Sequence, residues 1–327
     1  MKACWFEAFG AAQNVLQQGE WPTPEPGSGE VLVQLHATGV NPSDVKKRAG
    51  AFPDLLEAGP VIPHSDGAGV ITAAGEGVSP SRVGERVFVY QAQYGRQLGT
   101  AAECVALDSV RAPTLPENAS FEVGACVGIP IMTAHRCVFA DGPVADQLIL
   151  VTGGAGRVGH YAIQWAHRAG ARVIATASNE QDVSACREAG AEAVVNHREP
   201  QWGKAVLDLT GGQKIDRVID VEFGANLPEL LHCVRIGATI ATYSSTLVPE
   251  PSLPFRTMMF MDLTVRMVIV YAMPEAAKAQ AAGDTQAALI EGGLQHRIAE
   301  TLPFDQMAKA HEIIEEGSVR GCVVVTI

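Results

Sequence analysis

Between Leu148 and Ala169 a short β-branched run, LILVT, passes into the glycine turn GGAGRVG and then into an apolar-periodic stretch, HYAIQWAHRA. Gly154, Gly156 and Gly159 make a G-x-G-x-x-G between a strand, Leu148 to Thr152, and a helix, Val158 to Ala169. At that spacing Gly154 permits the tight turn, Gly156 lets backbone amides approach a pyrophosphate, and Gly159 lets helix and strand pack closely. A lone glycine triplet says little. Here four more apolar runs, ARVIATA, AEAVVN, DRVIDV and GATIATYS, follow at helical intervals, as a parallel sheet with helices on both faces requires. Gly170 and Gly190 stand where a left-handed residue would end the intervening helices. The turn is expected to hold a dinucleotide.

The first 120 residues follow another pattern. GEVLVQLHATGV, GAGVITAAG, GERVFVY and AAECVAL are short runs separated by turn residues about every ten positions, which predicts a compact, mostly antiparallel barrel. Beyond Met273 a helical run, a strand near Arg297 to Leu302, a helix from Phe304 to Glu316 and a strand from Cys322 to Ile327 could complete either part. The 327 residues are 47 % hydrophobic and 18 % charged, enough for two buried cores. A formal charge of −12 without a basic cluster argues against a nucleic-acid partner. The most apolar window, MMFMDLTVRMVIVYAM, is interrupted by Asp262 and Arg266 and is expected to be buried strand rather than a membrane span. Seven cysteines without a C-x-x-C pair, and an N-terminus without the apolar core of a signal peptide, predict reduced thiols in the cytoplasm.

Seven stretches, GVNPSDVKKRAG, HSDGAGVI, RVGERVF, VGIPIMTAHRCV, GGAGRVGHYAIQWA, NHRE and AHEIIEEG, occur in one order along the chain. Together they resemble the zinc-independent quinone oxidoreductases of the medium-chain dehydrogenase/reductase superfamily, especially the zeta-crystallin branch. The resemblance implies an α/β protein of two domains: a GroES-like β-barrel domain at 1–122 and a Rossmann domain with a doubly wound parallel sheet at 123–271. A segment at 272–327 returns to the first domain. It implies NADPH and a small electrophilic acceptor, held in the cleft between the domains.

Zinc-dependent relatives in that superfamily hold their metal through a cysteine and a histidine. This chain offers Asn41 and Ser65 at those positions, which do not suit zinc, and His64 one position early, where a structural or exposed residue is expected. Hydride is then expected to go to an acceptor already electrophilic, a quinone or an α,β-unsaturated carbonyl. By resemblance Asn41 and Thr133 lie near the nicotinamide. Asn41 either donates to the acceptor oxygen or merely opens its Asn-Pro turn. Tyr94 is either a proton donor or a half-exposed loop aromatic.

The implied cofactor contacts are Phe52, Thr133, Gly154, Ala155, Gly156, Arg157, Val158, Gly159, Ser178, His197, Arg198, Gly224, Ser244, Ser245 and the strand Val268, Ile269, Val270. Arg157 reaches a phosphate or points to solvent. Phe52 and Gly224 replace a tyrosine and an asparagine of the family, and Gly224 on its own reads equally as simple loop. The second strand ends in Ala177 and Ser178 rather than the carboxylate that holds a 2′-hydroxyl, so NADPH is expected over NADH. His197 and Arg198 would meet the 2′-phosphate unless they are a solvated pair, and Asp182 sits where many bacterial members carry lysine. The apolar run Leu263 to Tyr271 would be a sheet edge, and edge pairing predicts a homodimer. Two functions fit: an NADPH-dependent quinone or enone reductase, and a catalytically weak NADPH-binding sensor or structural protein.

Overall fold

The computed structural model describes residues 1–327, and the chain divides into two compact units, Met1–Ile129 with Lys278–Ile327, and Pro130–Ala277.

In the first unit the backbone of the sheet is Glu30–Val40, whose alternating pattern buries Val31, Val33 and Leu35. Asp66–Ala74 pairs with it antiparallel on one side. Along the other side Cys104–Asp108 takes its first half and Cys322–Thr326 its second. Arg86–Val89 extends the sheet beyond Asp66–Ala74, and Ile298–Pro303 joins Cys322–Thr326 in parallel. The tail therefore completes the first unit rather than the second. Its helix Met307–Glu316 puts Met307, Ile313 and Ile314 into a core with Val40, Ile62 and Val323.

The second unit is a six-stranded parallel sheet. Its order is Thr264–Met267, Val234–Thr242, Ile215–Asp220, Leu148–Val151, Arg172–Ala177, Ala193–Asn196. The first strand in sequence lies centrally and the order reverses beside it, as in a doubly wound fold. Leu148–Val151 is wholly buried, and Leu150, Ile174, Val218 and Ile240 join Trp202, Phe223 and Leu230 in one core. Gly170 and Gly190 follow their helices at φ 83° and 112°, the left-handed conformation that lets a helix end.

The apolar window near residue 260 departs from expectation. Phe255–Phe260 is a short helix, and the strand after it is the four-residue edge Thr264–Met267. Val268, Ile269 and Val270 lie beyond the strand: Val268 and Val270 are buried, while Met267 and Ile269 are 73 % and 56 % exposed. With a single partner strand, Thr264–Met267 leaves the backbone groups of its outer side unpaired.

Candidate active site

The glycine turn sits at the carboxyl end of the central strand, at the switch point where such sheets bind ligands. Gly153, with φ 60°, makes the tight turn, a role the motif spacing assigned to Gly154. Gly154 is instead walled in: a Cβ there would lie 2.8 to 2.9 Å from Cys186, Ala175 and Ile163. The turn is tied to the second strand, since Gly153 N–H donates to Thr176 Oγ1 (3.0 Å) and Gly154 N–H to the Thr176 carbonyl (3.0 Å). Gly156 is the N-cap of the helix Arg157–Arg168, so the amides of Arg157, Val158 and Gly159 form its first turn, which lacks helical acceptors. Ala155 is buried and Arg157 is half-buried.

Neighbouring strand ends are braced by Asp220. Its Oδ1 accepts from Thr152 Oγ1 and Asn226 Nδ2, both at 2.8 Å, and burial raises its pKa. Thr152 in turn accepts from Val221 N–H (3.0 Å). Nothing periodic in the sequence marks this brace; its signal is a Thr or Asp closing each of three adjacent strands.

The second and third strands run in register, Ala177 opposite Asn196. Ser178 and His197 therefore leave adjacent strands together, about 4.8 Å apart across the sheet. Arg198 follows, exposed, with its N–H donating to Asn196 Oδ1 (3.0 Å). Asp182 is buried and engaged with its own helix cap: Asn179 accepts from Asp182 N–H (2.9 Å) and donates to Asp182 Oδ2 (2.8 Å).

Gly224 lies inside the helix Phe223–Cys233 rather than in a loop. A Cβ there would come within 2.4 Å of the Val248 carbonyl, so the chain packs where a side chain has no room. Ser245 Oγ accepts from Gly224 N–H (2.9 Å) and donates to the Val248 carbonyl (2.5 Å), which ties down the segment carrying Ser244. The Ser244 carbonyl accepts from Phe223 N–H (3.0 Å). Ser245 is thus occupied as a fastening of that segment.

In the first unit a buried polar cluster surrounds Asn41, which caps the helix Pro42–Arg48 and is 3 % exposed. Asn41 Nδ2 donates to Asp66 Oδ2 (2.8 Å), and Asn41 N–H to Asp44 Oδ2 (2.9 Å). Burial pushes Asp44 up to about 6, against the pull of Lys47. Burial and the charge of Asp44 push Asp66 up to about 8. Lys47 Nζ donates to the carbonyl and Oε1 of Gln93, and its desolvation lowers its pKa. Thr133 is buried in the helix Ile129–Phe139 of which the second unit holds the greater part. Tyr94 is 43 % exposed and Phe52 52 % exposed.

His64 is fully buried, at φ 76°. Its Nδ1 lies 3.0 Å from Thr38 Oγ1 and its Nε2 2.9 Å from His311 Nε2. Thr38 Oγ1 is 2.7 Å from Thr100 Oγ1, which donates to the Asp66 carbonyl (2.7 Å). If Thr38 donates to Thr100, it accepts from His64 Nδ1–H, and His64 Nε2 accepts from His311 Nε2–H. That leaves His311 Nδ1 as a bare acceptor without a partner, where the opposite direction would strand a buried N–H. Burial holds His64 down at about 3.

These contacts also decide the fit to zinc. The Asn41 amide is committed to Asp66, Ser65 Oγ leans at 3.4 Å toward Asp44 Oδ1, and both ring nitrogens of His64 are taken. No thiolate stands among them, and the set does not suit the ion.

Residues 27–169 match the alcohol dehydrogenase GroES-like domain and residues 158–283 the zinc-binding dehydrogenase domain. Human quinone oxidoreductase is 31 % identical over 323 residues, 97 % of this chain and 95 % of that protein. The chain belongs to the quinone oxidoreductases. The rat quinone oxidoreductase is 30 % identical, again over 97 % of this chain and 95 % of that protein. Among solved structures, a mycobacterial quinone oxidoreductase superposes with a TM-score of 0.87 at 26 % identity, and a mycobacterial protein in complex with NADPH does so with the same figures. An NAD-dependent alcohol dehydrogenase superposes equally well, 0.87 at 28 %. Each of the three covers 100 % of both chains. The architecture is that of this family: a GroES-like domain and a Rossmann domain.

Proposed function

We propose that this chain is an NADPH-dependent, zinc-independent oxidoreductase that reduces a quinone or an α,β-unsaturated carbonyl. The observation that carries the reading is the glycine turn at the switch point, where Gly156 opens the helix Arg157–Arg168 and Gly153 is pinned to Thr176. The first-turn amides would take the pyrophosphate, and Gly156 leaves the approach open, since a Cβ there would meet nothing nearer than the Gly153 carbonyl at 3.1 Å. NADPH supplies the hydride when bound. Ala155, Arg157, Val158, Ser178, His197, Ser244 and the segment Val268 to Val270 are the residues we assign to its length, with Phe52 and Thr133 toward the nicotinamide.

Conjugation spreads the arriving charge onto the acceptor oxygen, so one hydrogen-bond donor suffices in place of a metal. Asn41 has one amide hydrogen committed to Asp66, and the other is assigned to that oxygen. Tyr94, on its exposed loop, is the proposed proton donor. The 2′-phosphate is assigned to Arg198 and His197, because the strand register brings them beside Ser178 and no carboxylate closes the second strand.

One experiment tests this reading. Oxidation of NADPH and NADH by the wild type and R198A is measured against naphthoquinones, alkenals and simple alcohols. Turnover with quinone or alkenal, an NADPH preference of about tenfold or more, and its loss in R198A are expected from a charge-assisted phosphate contact. Binding without turnover would point to a sensor or structural protein. Alcohol oxidation would overturn the assignment of a metal-free site.

We further assign a homodimer joined through the edge Thr264–Met267. Phe260, Met267 and Ile269 are more than half exposed along and beside that edge, and pairing across a two-fold axis would cover them. Light scattering at micromolar concentration is expected to give twice the chain mass, and the chain mass alone would overturn it. The net charge of −12 supports the absence of a nucleic-acid partner. No helix is long and apolar enough to cross a membrane, and we assign the chain to the cytoplasm, a reducing compartment in which seven free thiols persist.

A further inference from the structure

We propose that Asp66 is a positioning residue that sets the orientation of the Asn41 carboxamide toward the acceptor, an inference that rests on the reductase reading above. Three features of the structure carry it. First, Asp66 is fully buried and directs both of its side-chain hydrogen bonds to one oxygen: Oδ2 accepts from Asn41 Nδ2 and from Ile129 N–H, each at 2.8 Å. Second, Oδ1 has no partner at all. Third, the carboxyl lies so close to Gly128 that a Cβ there would come within 2.1 Å of Oδ1, so the chain leaves the group one position.

An ionised carboxylate would share donors between its oxygens. A carboxylic acid accepts at its carbonyl oxygen and carries its hydrogen on the other; Oδ2 fits the first part, while a hydrogen on Oδ1 would stand without an acceptor. Its setting agrees: Asp44 from the helix Pro42–Arg48 repels a second negative charge, the buried thiol of Cys126 stands near, and Lys47 offsets them in part. A neutral acid with its carbonyl oxygen presented to Asn41 selects one face of the carboxamide. The amide nitrogen must face Asp66, because turning it over would set two oxygens against each other. The second Nδ2 hydrogen is then fixed in direction, and that is the hydrogen an acceptor oxygen would use. The backbone of Asp66 is itself held, its carbonyl accepting from Thr100 Oγ1 (2.7 Å), which in turn accepts from Thr38. Asn41, which caps its own helix, is thereby held from a second element, the strand Asp66–Ala74.

The test compares the wild type with D66A and D66N. Alanine removes the brace, and asparagine restores an acceptor oxygen for Asn41 and Ile129 without a titrating group. D66A is expected to lower kcat for quinone about 100-fold with NADPH affinity and fold unchanged, the size of effect a misplaced contact produces. D66N is expected to restore kcat to within about threefold, since its Oδ1 can accept both hydrogen bonds. Equal kcat in D66A and wild type would overturn the proposal, and so would a D66N as impaired as a well-folded D66A. Crystal structures of both variants give a reading independent of turnover: Asn41 is expected to turn over or disorder in D66A and to keep its orientation in D66N. An Asn41 unmoved in D66A would overturn the positioning role. A wild type that reduces no quinone would instead overturn the functional reading, and the two structures would still decide the role of Asp66.

Discussion

Replacing Gly156 by valine is expected to weaken NADPH binding about 100-fold or more while leaving the melting temperature nearly unchanged, because the added side chain stands where backbone meets pyrophosphate. Gly156 has φ −73° and ψ 170°, an extended conformation that valine adopts readily. Its Cβ would approach the Gly153 carbonyl at 3.1 Å, tight but tolerable, with no other neighbour inside 4 Å. Gly159 predicts the opposite. A Cβ there would lie 2.3 Å from the Gly153 carbonyl and 3.0 Å from Gly154 Cα, backbone atoms that Thr176 holds in place. G159V should therefore cost about 3 kcal/mol or more of stability, at the upper end of overpacking effects. Calorimetry of NADPH binding and denaturant unfolding on the two variants separates the roles. A G156V that binds NADPH as the wild type does would show that the pyrophosphate lies elsewhere, and a G159V of wild-type stability would show that the turn yields.

The second expectation concerns acid. His64 is held at about 3 in the folded chain and titrates near 6.5 when unfolded. Between those values the unfolded chain binds the extra proton, so the stability present above about 6.5 is lost as pH falls toward 3. From pH 6.5 to 4.5 one such histidine removes about 2 to 3 kcal/mol, and His311, held low by burial and by the charges of His64 and Arg48, adds to it. Asp66 acts in the other direction. Raised from 3.8 to about 8, it favours the folded state most below 3.8, and that contribution disappears as pH rises through 8. The histidine effect is therefore read as a difference. Unfolding free energies of the wild type and of H64Q/H311Q, measured between pH 4.5 and 7, should converge as the pH falls. Parallel curves would mean that the pair does not titrate on unfolding.

The strand–glycine–helix of the second unit was open to reading because its determinants are local. Glycine spacing, β-branched runs and helix periodicity all lie within 25 residues of each other, and the parallel sheet, its strands and its helix-ending glycines stand where those signals put them. The edge near residue 265 misled for a physical reason: apolar composition reports what a segment tends to bury but not which side finds cover, and here Leu263 and Val265 reach the core while Met267 and Ile269 stay exposed. Gly153 and Gly154 exchanged parts because both are glycines, and spacing does not say which has positive φ. In the first unit the runs from Glu30 to Asp108 were equally plain. The cluster behind Asn41 was not, since His64 meets His311 across 247 positions and Asp66 meets Ile129 across 63. A buried hydrogen bond between distant residues leaves no period in either neighbourhood. Asn41 drew notice as a possible donor to the acceptor and, with Ser65, as unsuited to zinc, while the buried partner of its amide, Asp66, stood unremarked between Ser65 and Gly67.

The pairing of Cys322–Thr326 with Glu30–Val40 makes the first strand of this sheet wait for the last. During synthesis Val40 leaves the ribosome 283 residues ahead of its partner Val323, an interval of roughly 15 to 60 seconds at 5 to 20 residues per second. The second unit, continuous from Pro130 to Ala277, has everything it needs before then. The chain thus finishes its middle before its beginning. Through that interval the half from Ala37 to Val40 stands as an open edge with Thr38 as its one polar side chain, so this stretch invites a foreign strand until Cys322–Thr326 closes it.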